Sequence, residues 1–269
     1  MEEINKLFKG NSIEIMSKMK DNIFDMIFAD PPLDLVDYYY ENEAGSGEQT
    51  LKSIYKNIEE GVNNEEYKNF TELWVSNAVR LLKKDGSIYV ACTKNNIAEL
   101  ISAFKKYRLN FVNIITWYKT NSRNYGTAKG FEDKCEYLLL FSKGPDRIFN
   151  HDLLKKLSPK RNKTHTELLE NMWHIPIGAY EDKNQLQSHK PEELIKRCII
   201  ASTNYGSVIL DPFCRTGTTC VVAIKTDRNY IGIIPNRQFE KSIKIKLSKV
   251  RKQSYKKGQV DLFVQTITK

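Results

Sequence analysis

Short apolar runs alternate with longer amphipathic stretches along this chain, and the alternation restricts the folds that it can adopt. Residues 23–29, IFDMIFA, form a short, mainly apolar run of strand length, whereas the apolar residues of 70–82 recur at helical spacing. Alternating strands and helices fold into a mostly parallel sheet that is covered by helices on both faces. We therefore predict an α/β fold in which ligands bind at the carboxyl ends of the strands.

The other elements are predicted from the same periodicities and from turn residues. Lys84-Asp85-Gly86 predicts a turn between the helix 70–82 and a second strand at 87–92. Residues 111–119 and 135–143 predict two strands that pair antiparallel at an edge of the sheet. Four more helices are predicted at 96–107, 191–203, 218–225 and 240–252, and two more strands at 207–213 and 229–234.

Length and composition fit a globular domain with an anionic partner. The chain has 269 residues, of which 41% are hydrophobic and 28% charged, as is typical of a single globular domain. A formal net charge of +9 favours nucleic acid as a partner, although a lysine-rich proteome would give the same excess. Because no apolar run approaches the roughly 18 residues of a membrane span, no membrane partner is predicted.

Cysteine and histidine spacing argues against a metal site. The five cysteines form no CxxC pair and are odd in number, which disfavours a disulfide framework or a zinc site and fits a reducing cytoplasm. The four histidines are scattered without ligand spacing at His151, His165, His174 and His189. We predict a cytoplasmic protein without a bound metal.

Two segments at predicted strand ends carry unusual chemistry. DPFCRTGTT at 211–219 joins a strand to a helix, so backbone N–H groups and a helix N-terminus face an approaching ligand. An ordinary turn is the alternative, and a P-loop is excluded because no GxxxxGK[ST] string is present. In Asp30-Pro31-Pro32-Leu33, the two prolines fix the backbone, and a carboxylate and carbonyls can accept hydrogen bonds from an exocyclic amine. The alternative to a binding site is a rigid connection from the strand to the following loop, with Asp30 exposed to solvent.

The order of these two segments resembles the beta group of amino-methyltransferases that act on DNA, in which the catalytic half precedes the cofactor half. Five further segments follow in the family's order: LLKKDGSIYVAC, NIITWYK, EYLLLFSKG, HKPEELIKRCIIAST and RNYIGII. The resemblance covers nearly all of the chain except 145–185 and 34–66, and the many acids, three glycines and weak periodicity of 34–66 predict a loop or insertion there. It implies a site-specific, adenine-N6 DNA methyltransferase of restriction–modification type. The implied fold is a single Rossmann-like domain over 1–269, in circularly permuted motif order.

The resemblance also implies a cofactor and a set of site residues. The methyl donor is S-adenosylmethionine, and the target adenine is flipped out of the duplex. Asp30 and the Pro31 carbonyl would hold the N6 amine, with Pro32 and Leu33 completing the catalytic tetrapeptide. The implied cofactor-binding residues are Asn11, Lys190, Asp211, Phe213, Arg215, Thr216, Gly217, Thr218 and Ile234.

Three of these positions differ from the family pattern. Leu33 stands where an aromatic residue stacks on the base, a contact worth about 1–3 kcal/mol, and the tyrosines at 38–40 are candidates to replace it. Arg215 stands where the family has glycine, and a left-handed backbone there would add about 1–2 kcal/mol of strain. Ile234 stands where an acid accepts hydrogen bonds from the ribose, which are worth about 1.5–3 kcal/mol.

These departures leave a second hypothesis open, a non-catalytic homologue that binds DNA or pairs with an active methyltransferase. A methyltransferase of RNA, protein or small molecules is disfavoured by the charge and by Asp-Pro-Pro.

The predicted partner is double-stranded DNA, with a homodimer, a companion methyltransferase subunit or a cognate restriction endonuclease as further candidates. Target recognition is predicted in 145–185, whose basic cluster comprises Lys155, Lys156, Lys160, Arg161 and Lys163. Trp117 and Trp173 are predicted to pack rather than to stack on bases.

Overall fold

A computed structural model describes residues 3–32, 64–121, 131, 133–159, 167–177, 190–235 and 237–257. Its strands are β1 (Lys6–Lys9), β2 (Phe24–Ala29), β3 (Leu82–Cys92), β4 (Asn110–Lys119), β5 (Cys135–Ser142), β6 (Met172–Ile175), β7 (Val208–Asp211) and β8 (Asn229–Ile234). Its helices are α1 (Ser12–Ser17), α2 (Asn64–Leu81), α3 (Ile97–Lys106), α4 (His151–Leu157), α5 (Glu192–Ser202), α6 (Thr218–Lys225) and α7 (Arg237–Lys257), with one 3-10 turn at Glu167–Leu169.

The strands form one sheet in the order β1-β8-β7-β2-β3-β5-β4-β6. Neighbouring strands run parallel except that β5 is antiparallel to both β3 and β4. The predicted α/β class and the antiparallel pairing of 111–119 with 135–143 are therefore confirmed. The predicted position of that pair at the edge is wrong, because β6 pairs with β4 and forms the edge itself.

The sheet separates two hydrophobic layers. From Met26 onward, alternate residues of β2 point to opposite faces, so that Ile27 and Ala29 join one buried cluster while Met26 and Phe28 join the other. Helices α1, α2 and α3 cover the first face, and α5, α6 and α7 cover the second. This arrangement confirms the prediction of helices on both faces.

The connection between α2 and β3 differs from the predicted one. The helix runs directly into the strand, and the predicted turn at Lys84-Asp85-Gly86 lies inside β3. A Cβ at Gly86 would come within 2.9 Å of the Asp25 carbonyl oxygen, so this glycine permits close approach of β2 instead of marking a turn. The helix also begins at Asn64 and takes in the last three residues of the predicted loop 34–66. The rest of that loop lies outside the described residues.

The predicted target-recognition segment 145–185 contains elements that the sequence did not indicate. Helix α4 packs through Leu154 against Ile200 and Ala201 of α5, and β6 extends the sheet. Seven- and four-residue elements give too little periodicity to be identified from the pattern alone. Residues 160–166 and 178–185 lie outside the described part. Within the described residues, no helix combines the length and apolar character required to cross a bilayer.

Candidate active site

The two unusual segments leave neighbouring strands of the sheet. Strands β2 and β7 are paired in parallel, with Ile27 opposite Leu210, so Asp30 and Asp211 emerge at the same edge. Parallel strands present ligand sites at their carboxyl ends. A cleft at this edge is lined by Phe28, Asp30, Lys190, Ile195, Asp211, Phe213, Arg215, Thr216, Thr218 and Thr219. The fold therefore brings together seven of the predicted site residues.

The loop after β7 is shaped by one glycine. Gly217 precedes α6 with a φ of 74°, in the left-handed region, and a Cβ there would lie 2.5 Å from Ile243 Cγ2 of α7. Arg215 is not among the residues with positive φ, so the backbone strain considered for this position is not present. The loop is tied down further, because Cys214 N donates to the Ile233 carbonyl at 2.9 Å. The hydroxyls of Thr216 and Thr218 are 2.8 Å apart at the cleft.

Asp211 is a buried carboxyl group at the floor of the cleft. Its residue is 7% exposed, and its Oδ1 accepts a hydrogen bond from Phe213 N at 3.2 Å. Burial raises the pKa of Asp211 to about 7; hydrogen bonds from Thr219 and Phe213 oppose the rise, and the negative charge of Asp30 adds to it. The carboxylate form is therefore less favoured than in an exposed aspartate, and a positive charge brought close to it would favour ionisation.

Asp30, at the end of β2, is held by a lysine from a distant part of the chain. Lys190 Nζ donates to Asp30 Oδ1 at 2.9 Å and to Oδ2 at 3.0 Å. The Lys190 side chain is only 9% exposed, and its Nζ also lies 3.3 Å from Glu136 Oε2. Burial alone would lower the pKa of Lys190, but the carboxylates of Asp30 and Glu136 outweigh burial and hold it above its usual value. The ammonium is therefore charged.

Glu136 is a site residue that sequence reasoning missed. It lies near the start of β5, and its second oxygen, Oε1, is 2.5 Å from Lys119 Nζ at the end of β4. Burial alone would raise the pKa of Glu136, but Lys190 and Lys119 together hold it below its usual value. The only hint in the sequence was a lone acid in the apolar segment CEYLLLFS.

Helix α2 contacts both active-site segments, the one after β2 and the one after β7. Tyr67 donates its hydroxyl to the Pro32 carbonyl at 3.1 Å, next to two buried prolines. On the same helix, Trp74 meets the Phe213 ring edge-on at 5.6 Å, and the Phe70 ring lies 6.1 Å from that of Phe213. The sequence indicated an amphipathic helix here, but not that its aromatic face holds both active-site segments.

Two other predicted site residues do not line this cleft. Asn11 Oδ1 accepts from the backbone N–H of Ile13 at 2.9 Å and of Glu14 at 3.2 Å, so its side chain caps α1. Ile234 is 1% exposed and packs in the core. Leu33, like the tyrosines at 38–40, lies outside the described residues.

Both tryptophans predicted to pack are buried. Trp117 donates from Nε1 to the Ile175 carbonyl at 2.7 Å, and Trp173 donates from Nε1 to the Glu170 carbonyl at 2.8 Å. These bonds fasten β6 and the chain before it to the sheet.

Known proteins share this sequence pattern and fold. Residues 24–245 match the model of a family, N6_N4_Mtase, described as DNA methylase. The type II methyltransferase M2.MboI of Moraxella bovis is 33% identical over 243 residues, which cover 87% of this chain and 84% of that protein.

Solved structures were found with the same fold. The complex of M1.HpyAVI with SAM matches with a TM-score of 0.63 at 18% identity, covering 90% of this chain and 98% of that one. The cytosine-N4-specific PvuII DNA methyltransferase matches with a TM-score of 0.69 at 14% identity, covering 98% of this chain and 96% of that one. These likenesses confirm the Rossmann-like sheet, and the permuted motif order stays a prediction.

Proposed function

The chain belongs to the N6_N4_Mtase family of DNA methylases, and from that premise we propose that it transfers a methyl group from S-adenosylmethionine to N6 of an adenine flipped out of double-stranded DNA. One observation carries the proposal: Asp30 and Asp211 end adjacent parallel strands and line one cleft. A carboxylate for the substrate amine and a loop for the cofactor are thereby held side by side.

The residues of the cleft fit a cationic cofactor. Asp211 is a buried carboxyl group whose pKa is about 7, partly because Asp30 lies nearby. A positive charge placed beside Asp211 would favour its carboxylate form. S-adenosylmethionine carries a sulfonium and an ammonium cation, and when bound it supplies an electrophilic methyl group. Asp211, Phe213 and the segment Thr216–Thr218 would hold it, with the N-terminus of α6 beside them.

Asp30 and the Pro31 carbonyl are assigned to the substrate amine. An exocyclic amine donates two hydrogen bonds, and a carboxylate beside a fixed backbone carbonyl can accept both. The Pro32 carbonyl already accepts from Tyr67, which anchors the end of the segment to α2. Since adenine's amine is a poor nucleophile, most of the rate must come from positioning and from stabilisation of the positive charge that develops on it.

The choice of adenine depends on the residue at position 30, not on the fold. The cytosine-N4-specific PvuII enzyme has the same fold, so the architecture accommodates either base. Aspartate rather than serine at the start of the tetrapeptide favours adenine, and this chain has Asp30.

The segment 145–185 is proposed to recognise the target sequence within a single domain over 1–269. Lys155 and Lys156 are exposed on the last turn of α4, where they can contact phosphates. Lys160, Arg161 and Lys163 of the same basic cluster lie outside the described residues. The similarity to M2.MboI, a type II methyltransferase, supports a role in which this chain acts together with a restriction endonuclease or a companion methyltransferase.

A second candidate function is a non-catalytic DNA-binding or partner subunit. The observation that favours it is Arg215, which lines the cleft assigned to a cationic cofactor. Ile234, buried in the core, supplies no acceptor for a ribose. Such a subunit would bind DNA with strong salt dependence and without dependence on cofactor.

Methyl transfer is tested by incubating the protein with tritiated S-adenosylmethionine and unmethylated DNA, then digesting the DNA to nucleosides. Asp30→Ala is the negative control, and Asp85→Asn, which alters an exposed carboxylate in β3, is the matched positive control. Label in N6-methyldeoxyadenosine supports the proposal. Label in N4-methyldeoxycytidine overturns the assigned base, and no label above that of Asp30→Ala favours the non-catalytic candidate.

A further inference from the structure

Lys190 is shared between two carboxylates, only one of which belongs to the catalytic tetrapeptide. We infer that Glu136 is a positioning residue for methyl transfer: it offers Lys190 a second carboxylate, so that Asp30 can release Lys190 and accept the substrate amine. This inference rests on the proposed function.

The geometry shows why Asp30 must be released. Lys190 Nζ contacts both oxygens of Asp30, at 2.9 and 3.0 Å. A carboxylate has lone pairs to spare, but an amine that approaches Asp30 meets an ammonium group bound across both oxygens. At least one of these contacts has to open before Asp30 can orient the amine.

Glu136 makes that opening feasible. Its Oε2 is already 3.3 Å from Lys190 Nζ, so a small rotation of the lysine shortens this contact while it lengthens those to Asp30. Leaving a buried ammonium without a carboxylate is strongly unfavourable. With Glu136 present, Lys190 exchanges one carboxylate for another and keeps its charge.

Glu136 is itself held in place. Lys119 Nζ lies 2.5 Å from Glu136 Oε1, so the carboxylate is fixed between two lysines. Backbone pairing of β4 with β5 places these residues together, and Lys119 N also donates to the Lys134 carbonyl at 2.9 Å. The result is a row of alternating charges, in the order Asp30, Lys190, Glu136 and Lys119, that ends at the cleft.

Two further titratable groups lie close enough to this row of charges to interact with it electrostatically. The Cys92 thiol at the end of β3 has a pKa raised to about 12, chiefly by burial, with Glu136 and Asp30 adding to the rise and Lys190 opposing it. Asp211 faces Asp30 across the cleft. Cys92 stays a neutral thiol up to alkaline pH, so the ionisation of Lys190 is governed by the carboxylates around it.

Glu136→Gln tests the inference, because glutamine keeps the shape and removes the charge. Glu72→Gln is the matched control, since Glu72 forms a comparable pair with Lys106, at 2.7 Å, on the surface. We expect the single-turnover methyl-transfer rate of Glu136→Gln to fall about tenfold or more near neutral pH, with the affinity for S-adenosylmethionine changed less than about threefold. Glu72→Gln should stay within about twofold of the wild type.

The pH profile separates a positioning role from a structural one. In Glu136→Gln the pKa of Lys190 should fall, so raising the pH neutralises the lysine and frees Asp30, and the rate deficit should shrink. A deficit that is equal at every pH, or a wild-type rate, would overturn the inference. If Glu136→Gln lacks a cooperative unfolding transition, Glu136→Asp is used to test the inference instead. A methyl-transfer rate of Glu136→Asp within about threefold of the wild type supports the inference, and a tenfold loss contradicts it.

Failure of the proposed function gives a different result. If the wild type transfers no methyl group to DNA, the proposed function fails and the positioning role fails with it. The claim that Glu136 keeps Lys190 charged is then decided by the ionisation of Lys190 alone. The Nζ resonance of Lys190, followed by NMR against pH, should then titrate at lower pH in Glu136→Gln than in the wild type. An unchanged titration would reject Glu136 as the group that keeps Lys190 charged.

Discussion

Asp211 shows how a single side chain can be costly for folding and suited to a ligand. The carboxyl is buried at the end of β7, and its pKa is about 7 instead of the usual 3.8. Between these two values the native protein holds a proton that the unfolded chain has lost. Stability therefore falls as the pH rises from about 4 to about 7, and the full cost is on the order of 4 kcal/mol.

Asp211→Asn should remove this pH dependence. Asparagine keeps an oxygen that can accept from Phe213 N but does not ionise. Near pH 4 the variant and the wild type should have similar unfolding free energies, and near pH 8 the variant should be more stable by a few kcal/mol, up to about 4. Urea unfolding at a series of pH values measures the difference. A difference that does not change with pH would show that Asp211 is not protonated in the native state.

Gly217 is the residue in the cofactor loop whose identity the backbone dictates. Its φ of 74° and the 2.5 Å between an added Cβ and Ile243 both require glycine. At position 215 the structure imposes no left-handed backbone, which explains how arginine is tolerated there. The departure at 215 is therefore one of charge and size beside the cleft, not of backbone strain.

At the scale of the elements, α2 contacts both active-site segments and holds them in position. Its length exceeds that predicted from the sequence, and its added first turn contributes Tyr67, which bonds to Pro32. Further along, Phe70 and Trp74 contact Phe213 in the other active-site segment. One helix thus fixes the distance between the two segments that line the cleft.

Tyr67→Phe should separate this positioning from general stability. It leaves the ring in place and removes the hydroxyl, so we expect an unfolding free energy lower by about 1 kcal/mol. Because Pro32 loses its anchor, the methyl-transfer rate should fall by a larger factor than this loss of stability explains. Ser76→Ala is the matched control, since it deletes another hydroxyl of α2 that bonds only within the helix, to the Leu73 carbonyl. Equal effects of the two substitutions on the methyl-transfer rate would argue against a positioning role for the Tyr67 hydroxyl.

At the scale of the whole molecule, a net charge of +9 favours association with DNA but does not say where DNA lies. The proposed recognition segment holds an adjacent pair of exposed lysines, Lys155 and Lys156, at the end of α4. Helix α3 ends in a similar pair, Lys105 and Lys106, outside that segment. The two pairs allow the position of DNA to be tested with equal changes in charge.

Changing Lys155 and Lys156 to glutamine should weaken DNA binding and reduce the slope of log affinity against log salt by about 1 to 2, since each phosphate contact contributes about 0.9 to the slope. The same change at Lys105 and Lys106 should leave the slope close to that of the wild type. Fluorescence anisotropy of labelled duplex DNA across a salt series gives both slopes. Equal losses in the two double variants would place DNA elsewhere or show that net charge alone governs binding.

Local sequence determined most of the elements and the two active-site segments. The helix that opens at 218 begins where it is predicted to begin, and the strand at 229–234 has its predicted bounds, because hydrophobic periodicity and turn residues act over a few neighbouring positions. The segments at 30–33 and 211–219 could be singled out for the same reason. The short elements α4 and β6 escaped prediction, since seven and four residues carry little periodicity of their own.

Only the tertiary structure decided which residues meet. Asp30 and Lys190 are 160 positions apart in the chain, and their contact depends on the placement of β2 and on the chain before α5. Glu136 joins them because β5 runs antiparallel between β3 and β4 and brings its start to the cleft. Strand order, direction and register arise from packing of the whole core, and a local pattern does not encode them. The sequence thus determined the family and the candidate carboxylates, and the fold determined the charges around them.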